Sequence, residues 1–281
     1  MRQQYHYRIR DLCEVLRVPR SSYYAWLGRG PSRRALANQV LRRKLSELFV
    51  ANRKTYGSPR LTFCLRNEGI ACSRNRVARH MRALQLKARQ KRAFRPKTTD
   101  SNHPHPIAAN LLSDQPRPKA LNRIWVSDIT YVFTVEGWLY LAAVMDLYSR
   151  KIVGWAASDS LRTSLVKEAL QQALASRRPI AGLLHHSDRG SQYASHTYRH
   201  LLRSRRIRCS MSARGRCYDN AAMESFWSTL KTEWLHHHNF QTHRQARSAV
   251  FDYIETFYNP KRLHCALGYQ SPVHFEQNSH P

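Results

Sequence analysis

The chain has 281 residues, enough for one large domain or two or three smaller ones with an ample core. Its 47 Lys and Arg against 18 Asp and Glu give a formal charge of +29, so the expected partner is a polyanion, above all nucleic acid. Six scattered cysteines without a CxxC pair and fifteen histidines without zinc-finger spacing argue against a disulfide framework and a zinc finger. No apolar stretch suits a membrane span or a signal peptide, so a cytoplasmic location is expected.

The positive charge is uneven, a net +20 over residues 1–100 and +9 over residues 101–281. Residues 1–30 are expected to form a helix-turn-helix-like segment. Leu12, Val15 and Leu16 mark a first short helix, Val18-Pro19 breaks it, and Ser21 caps a second carrying Tyr23, Tyr24, Trp26 and Leu27. Arg20 and Ser22, at the start of that second helix, are candidate DNA contacts; a plain helical hairpin would leave the same pattern. Residues 31–86 read as a basic helical DNA-binding region. Arg33 to Lys54 sets Leu36, Val40, Leu41, Leu45, Leu48 and Phe49 at helical spacing; Ser58-Pro59 opens the next helix, Gly69 ends it, and Ser73 caps another. That last helix exposes Arg74, Asn75, Arg76, Arg79 and Arg82 and buries Val77, Met81 and Leu84, which suits a major groove or a row of phosphates. Residues 87–120, with the run KARQKRAFRPK and five prolines, are expected to be a linker.

Residues 121–281 change character. Ile124 to Val135, Trp138 to Asp146 and Lys151 to Ser158 read as an antiparallel three-stranded meander. A helix over Thr163 to Ser176, a strand over Ile180 to His186, a helix over Ser195 to Arg205 and a short strand over Ile207 to Met211 follow. This succession predicts an α/β unit, a mixed sheet flanked by helices, after an all-α front.

Three carboxylates stand out within it. In a strand from Ile124 to Phe133, Asp128 shares its face with Ile124, Val126, Thr130 and Val132, where an ionised carboxylate is costly unless paired, hydrogen-bonded or bound to a cation. An edge-strand Asp pairing an arginine is the plain alternative. Asp188 follows an apolar run in a Ser-Asp-Arg-Gly turn, at the end of a strand. Glu224 lies on a helix, with 35 residues between it and Asp188. Turned at about 100° per residue, that helix collects Met223, Phe226, Trp227, Leu230 and Trp234 on a buried face. Glu224, Ser228 and Lys231 share the adjoining polar face, and Asp219 or Asn220 is the expected N-cap. An amphipathic surface helix with an ordinary Glu and Lys would look similar. Together the three acids suit hard divalent cations held by oxygen ligands.

YGSPRL, NRIWVSDITYV, GWLYLAAVMDLYSRKIVGW, HHSDRGSQY, YDNAAMESFWSTLKTEW and YNPKRLHCALGYQSP together resemble the catalytic subunit of bacterial insertion-sequence transposases of family three. That subunit is encoded by the second reading frame and has a retroviral-integrase-like core. The likeness spans most of the chain from Tyr56 to Pro272 and touches residues 8–29. It implies an RNase H-like fold over residues 121–281 and an Asp-Asp-Glu triad of Asp128, Asp188 and Glu224. It further implies two Mg²⁺ or Mn²⁺ ions per site, with Lys231 and Arg189 as DNA contacts beside the triad. The implied reaction is metal-dependent cleavage at element ends, then strand transfer by a 3′-hydroxyl. The implied partners are double-stranded DNA, further copies of the chain in a homo-oligomer, and the upstream reading-frame protein, with no membrane. Asp146, ending a strand at a turn, Asp219, capping a helix, and Glu233, solvated or paired with an arginine, are expected to lie outside the triad. A DNA-binding regulator would need the charge but not the triad; a nuclease on the same fold would cut without joining.

Overall fold

The computed structural model describes residues 7–89, 106–113, 115–213 and 220–279. At the front, α1 (Ile9–Val15) and α2 (Arg20–Leu27) pack on each other. Cys13 is their one buried residue, and Leu12, Val15, Leu16, Val18, Tyr24, Trp26 and Leu27 stay exposed. Pro19, not Ser21, occupies the N-cap of α2: its φ of −57° and extended ψ already lead into the helix, which leaves Ser21 inside the first turn.

α3 (Arg33–Ala51) buries Leu41, Leu45 and Phe49, whereas Leu36 and Val40 are about half exposed. Those two lie roughly 160° from Asn38, on the side away from the neighbouring helices, so sharing the helical spacing did not bury them. α4 (Ser58–Asn67) starts from an extended Gly57. It ends before Gly69, whose φ of +77° is the left-handed turn glycine tolerates. α5 (Arg74–Ala83) is capped by Ser73, whose side chain accepts the Arg76 N–H. The core of these helices continues without a break into one face of the sheet beyond.

That sheet has the order β3-β2-β1-β4-β5. β1 (Ile124–Thr134), β2 (Gly137–Asp146) and β3 (Ile152–Ser158) form the expected antiparallel meander. β4 (Leu184–Ser187) and β5 (Arg208–Met211) then add in parallel on the other side of β1. β4 starts four residues later than the apolar run suggested, because Ile180 is exposed and Gly182 turns at φ +94°. On one sheet face lie α6 (Thr163–Arg177), α7 (Ser191–Ala194) and α8 (His196–Ser204), packed on Trp125, Ala142, Val144 and Val153. α7 is a turn of helix the sequence did not announce.

On the other face lie α9 (Ala221–Glu233) and α10 (His243–Phe251), over Val126, Val132, Leu139 and Leu141. The chain closes with a π-helical stretch, Asp252–Tyr258, and α11 (Pro272–Asn278). The five described cysteines are free, and no described helix is long and apolar enough to cross a membrane.

Candidate active site

The unequal lengths of two paired strands make the site. β1 runs eleven residues and β4 only four; their parallel register ends at Ser127 opposite Ser187. The next residue on each is an aspartate, so Asp128 and Asp188 stand side by side where β1 loses its neighbour. Asp188 turns back on its own loop, Oδ1 accepting the Gly190 N–H at 2.9 Å. A Cβ on Gly190 would sit 3.1 Å from that oxygen, so the tight turn favours glycine. Asp128 Oδ1 accepts the Ile129 N–H at 2.9 Å.

Removal from water, then the neighbouring Asp188 charge, push the Asp128 carboxyl well above the usual carboxylate range. The Ile129 N–H opposes that rise, the Glu224 charge adds to it, and the indole N–H of Trp227 opposes it.

α9 brings Glu224. Asn220 holds the N-cap position, but its side chain caps nothing: Nδ2 donates to the Ser127 carbonyl at 3.3 Å and staples the helix start to β1 just before Asp128. Asp219 lies outside the described residues. Met223, Phe226, Trp227 and Leu230 are buried as expected, whereas Trp234, where the helix ends, is half-buried. Glu224 is exposed on the side nearest Asp128, and Trp227, three residues on, turns its buried indole N–H toward the same carboxyl without ordinary hydrogen-bond geometry.

Lys231, seven residues after Glu224, lays its ammonium 4.7 Å from the ring centre of Tyr131. Burial pushes its pKa down, and the Asp128 charge pushes the other way. Among the described residues no three acidic, His or Cys side chains converge on a single ion position. Asp128 is instead the member in electrostatic contact with both Asp188 and Glu224.

The remaining nominated residues divide. Arg189 is half-buried, its Nε donating to the Ser212 carbonyl at 2.6 Å. Arg20 and Ser22 on α2 and Arg74, Asn75 and Arg79 on α5 are exposed. Arg76 is not: it is half-buried, and Nε and Nη2 both donate to Asn38 Oδ1, at 3.2 and 2.8 Å, tying α5 to α3. Asp146 ends β2, accepting the Asn122, Tyr148 and Ser149 N–H groups. Glu233 is buried and takes the arginine alternative, forked by Arg262 at 2.7 and 2.8 Å with the Tyr253 hydroxyl on the same carboxylate.

Sequence reasoning missed the supports behind the acids. His185 is fully buried, its Nε2 within 2.8 Å of Ser127 Oγ and 3.0 Å of the Tyr198 hydroxyl. His186 spans Ser210 and Ser212 toward β5. Two histidines in a short strand directly before Ser-Asp were the available signal.

A mixed sheet in this order, helices on both faces and carboxylates where the central parallel pair ends, defines an RNase H-like integrase core. Models described as "Integrase core domain" match residues 118–217 and 205–272, and an "HTH-like domain" model matches residues 35–94. The "uncharacterized 31 kDa protein" of insertion element IS600 from Shigella sonnei is 46% identical over 269 residues, 96% of this chain and 98% of that one. The transposase InsF of IS3A from Escherichia coli K12 is 39% identical over 282 residues, 99% and 97% of the two chains. Among solved structures, a simian T-cell lymphotropic virus intasome aligns at TM-score 0.48 and 17% identity over 83% of this chain and 74% of that one.

The chain belongs to the IS3 family of transposases, and is thus a polynucleotidyl transferase with an integrase core and an HTH-like front.

Proposed function

We propose that Asp128, Asp188 and Glu224 are the catalytic carboxylates with which this transposase frees a 3′-hydroxyl at the ends of its element and joins it to target DNA. The observation that carries the reading is the register: Ser127 pairs with Ser187, so consecutive positions on two parallel strands deliver Asp128 and Asp188 together, with Glu224 beside the first. The donor set fits hard divalent cations, since three oxygen ligands crowd negative charge that only a cation would relieve. Asp128 and Asp188 would hold one Mg²⁺ or Mn²⁺ ion and Asp128 and Glu224 a second. Bound there, the pair supplies Lewis acidity to the attacking and leaving oxygens.

The chain's own residues do the rest. Lys231, between Asp128 and Tyr131, holds a phosphate next to the reacting one. Asn220 fixes the start of α9 against β1 and so fixes where Glu224 stands. In the first step water attacks a phosphodiester, leaving a 3′-hydroxyl and a 5′-phosphate. In the second, that hydroxyl attacks a target phosphodiester, and one bond forms as one breaks, so no covalent enzyme intermediate is needed. Residues 1–30 and 31–86 grip DNA through Arg20, Ser22, Arg74, Asn75 and Arg79, with Arg189 nearer the site; residues 87–120 join them to the catalytic residues 121–281. Arg76 serves the fold of this grip rather than the DNA. A homo-oligomer on paired element ends, with the upstream-frame protein, completes the working complex in the bacterial cytoplasm.

The test is strand transfer with labelled DNA carrying the element's ends, in Mg²⁺, Mn²⁺ or EDTA, comparing the chain with Glu224→Gln. Metal-dependent joined product from the wild type, absent in a variant that still binds DNA, is the expected result. Cutting without joining would make the chain a nuclease. Binding with neither reaction, even after adding the upstream-frame protein, would leave a regulator and end the catalytic reading.

A further inference from the structure

Past Ser127, β1 has β2 on one side and no described strand on the other. Along this edge the even-numbered Asp128 and Val132 belong to the face under α9, and the odd-numbered Ile129, Tyr131 and Phe133 to the face under α6 and α8. Those helices stop short of the β1–β2 hairpin. Phe133 is 65% exposed and its cross-strand partner Trp138 47%. Trp138 packs edge-on against Phe133 at 5.3 Å and Tyr131 at 4.9 Å, so three rings hold one another in fixed orientations. The ammonium of Lys231 reaches across the free edge to Tyr131 while lying in the field of Asp128, joining the ring cluster to the acids.

We propose that Tyr131, Phe133 and Trp138 form a stacking platform for unpaired bases of the DNA strand whose phosphodiester lies at Asp128 and Asp188. The inference rests on the catalytic reading above. Mutually packed rings, two of them exposed, call for a ligand with flat apolar faces, and the charge of +29 with Lys231 beside them calls for an anion. A nucleic acid strand offers both. Bases inside an intact duplex keep their faces stacked on each other, so only splayed or single-stranded bases can lie on the rings. At about 3.3 Å per residue, Tyr131 and Phe133 lie roughly 10 and 17 Å along the strand from Asp128, the rise of about three to five stacked nucleotides.

The test uses the full chain in EDTA and a duplex of the element's terminal sequence with a four-nucleotide unpaired tail carrying 2-aminopurine. Bound to the wild type or to Glu224→Gln, the probe's emission is expected to be quenched. In Phe133→Ala and Trp138→Ala the quench is lost, and the preference for the tailed over the blunt duplex falls by about 5- to 100-fold. Trp138→Phe keeps both. Phe133 and Trp138 are largely exposed, so each alanine variant should stay folded with only a small fall in melting temperature from the lost ring contact, and Trp138→Phe, which keeps a ring there, separates the effect from misfolding.

If the wild type joins pre-cleaved ends in Mg²⁺ yet the quench survives every alanine substitution, the platform alone is overturned. If the wild type joins nothing even with the upstream-frame protein, the catalytic reading fails and takes the platform with it. Self-association abolished by Trp138→Ala, with the quench unchanged, would make this face a contact between copies and overturn the proposal.

Discussion

Three residues before Asp188, His185 shows how a single residue can brace the candidate site without touching its chemistry. Burial pushes its imidazole pKa down to about 3, so the ring is neutral while it links Ser127 on β1 to Tyr198 on α8. An unfolded histidine titrates near 6.5. The folded pKa is depressed, so the stability gained from keeping the ring neutral is present above about pH 6.5 and drains away as pH falls toward 3. Urea melts between pH 7 and 5 should therefore show stability falling, with a His185→Phe variant giving a shallower pH slope whatever its absolute stability. Equal slopes would refute the assignment. Arg76 teaches the converse. Its neighbours Arg74 and Arg79 are exposed, but Arg76 spends two N–H groups on Asn38, a bond that helical periodicity cannot foresee.

At the scale of elements, the site depends on how closely helices approach the sheet. β3 meets α6 at Gly154, where an added Cβ would come within 2.3 Å of the Ala169 carbonyl oxygen and 2.5 Å of the Ala173 nitrogen. Backbone cannot yield as a flexible side chain can, so Gly154→Ala must push α6 off β3. Overpacking of this kind costs roughly 1–3 kcal/mol. A lower thermal midpoint with faster amide exchange in α6 is the expected outcome; an unchanged midpoint would mean that the helix shifts freely. α9 is fixed differently, by Asn220 to Ser127 at its start and by Glu233 at its end. Glu224 therefore sits on a helix held at both ends.

Across the whole molecule, Glu233 is where the parts meet. Arg262 from the segment after the π-helical stretch forks its carboxylate, Tyr253 donates to it, and Arg60 from α4 lies 3.9 Å away. The Tyr56 hydroxyl accepts the Leu263 N–H, and Asn259 pairs its amide with both backbone groups of Ile152 on β3. The motifs YGSPRL and YNPKRLHCALGYQSP thus tie α4, α9 and the sheet into one packed unit. Breaking the buried pair by Arg262→Ala strands a carboxylate and should cost about 3–5 kcal/mol. Calorimetry should show the midpoint falling by on the order of 10 °C. A double Arg262→Met, Glu233→Met variant should recover much of that loss, and failure to do so would show that the charges themselves stabilise the fold.

The strands of the meander and the helix carrying Glu224 were legible because each is written in a local pattern: partial alternation in β1, an unbroken apolar run in β2, a 3.6-residue stripe for α9. Helix ends and exact strand starts were less so, as Pro19 and Gly182 show, because cap geometry depends on φ and ψ that several residues can satisfy. The fate of Leu36, Val40 and Arg76 was not legible at all, and for Glu233 the arginine pairing was one of two readings while its burial was not foreseen. By itself the sequence determined which residue types stand at which period, and hence the α/β core, the basic front and the acidic nominees. Only the tertiary structure decided that β1 and β4 pair in register up to Ser127 and Ser187. Adjacency between positions sixty residues apart comes from long-range hydrogen bonding and burial, which no local period encodes.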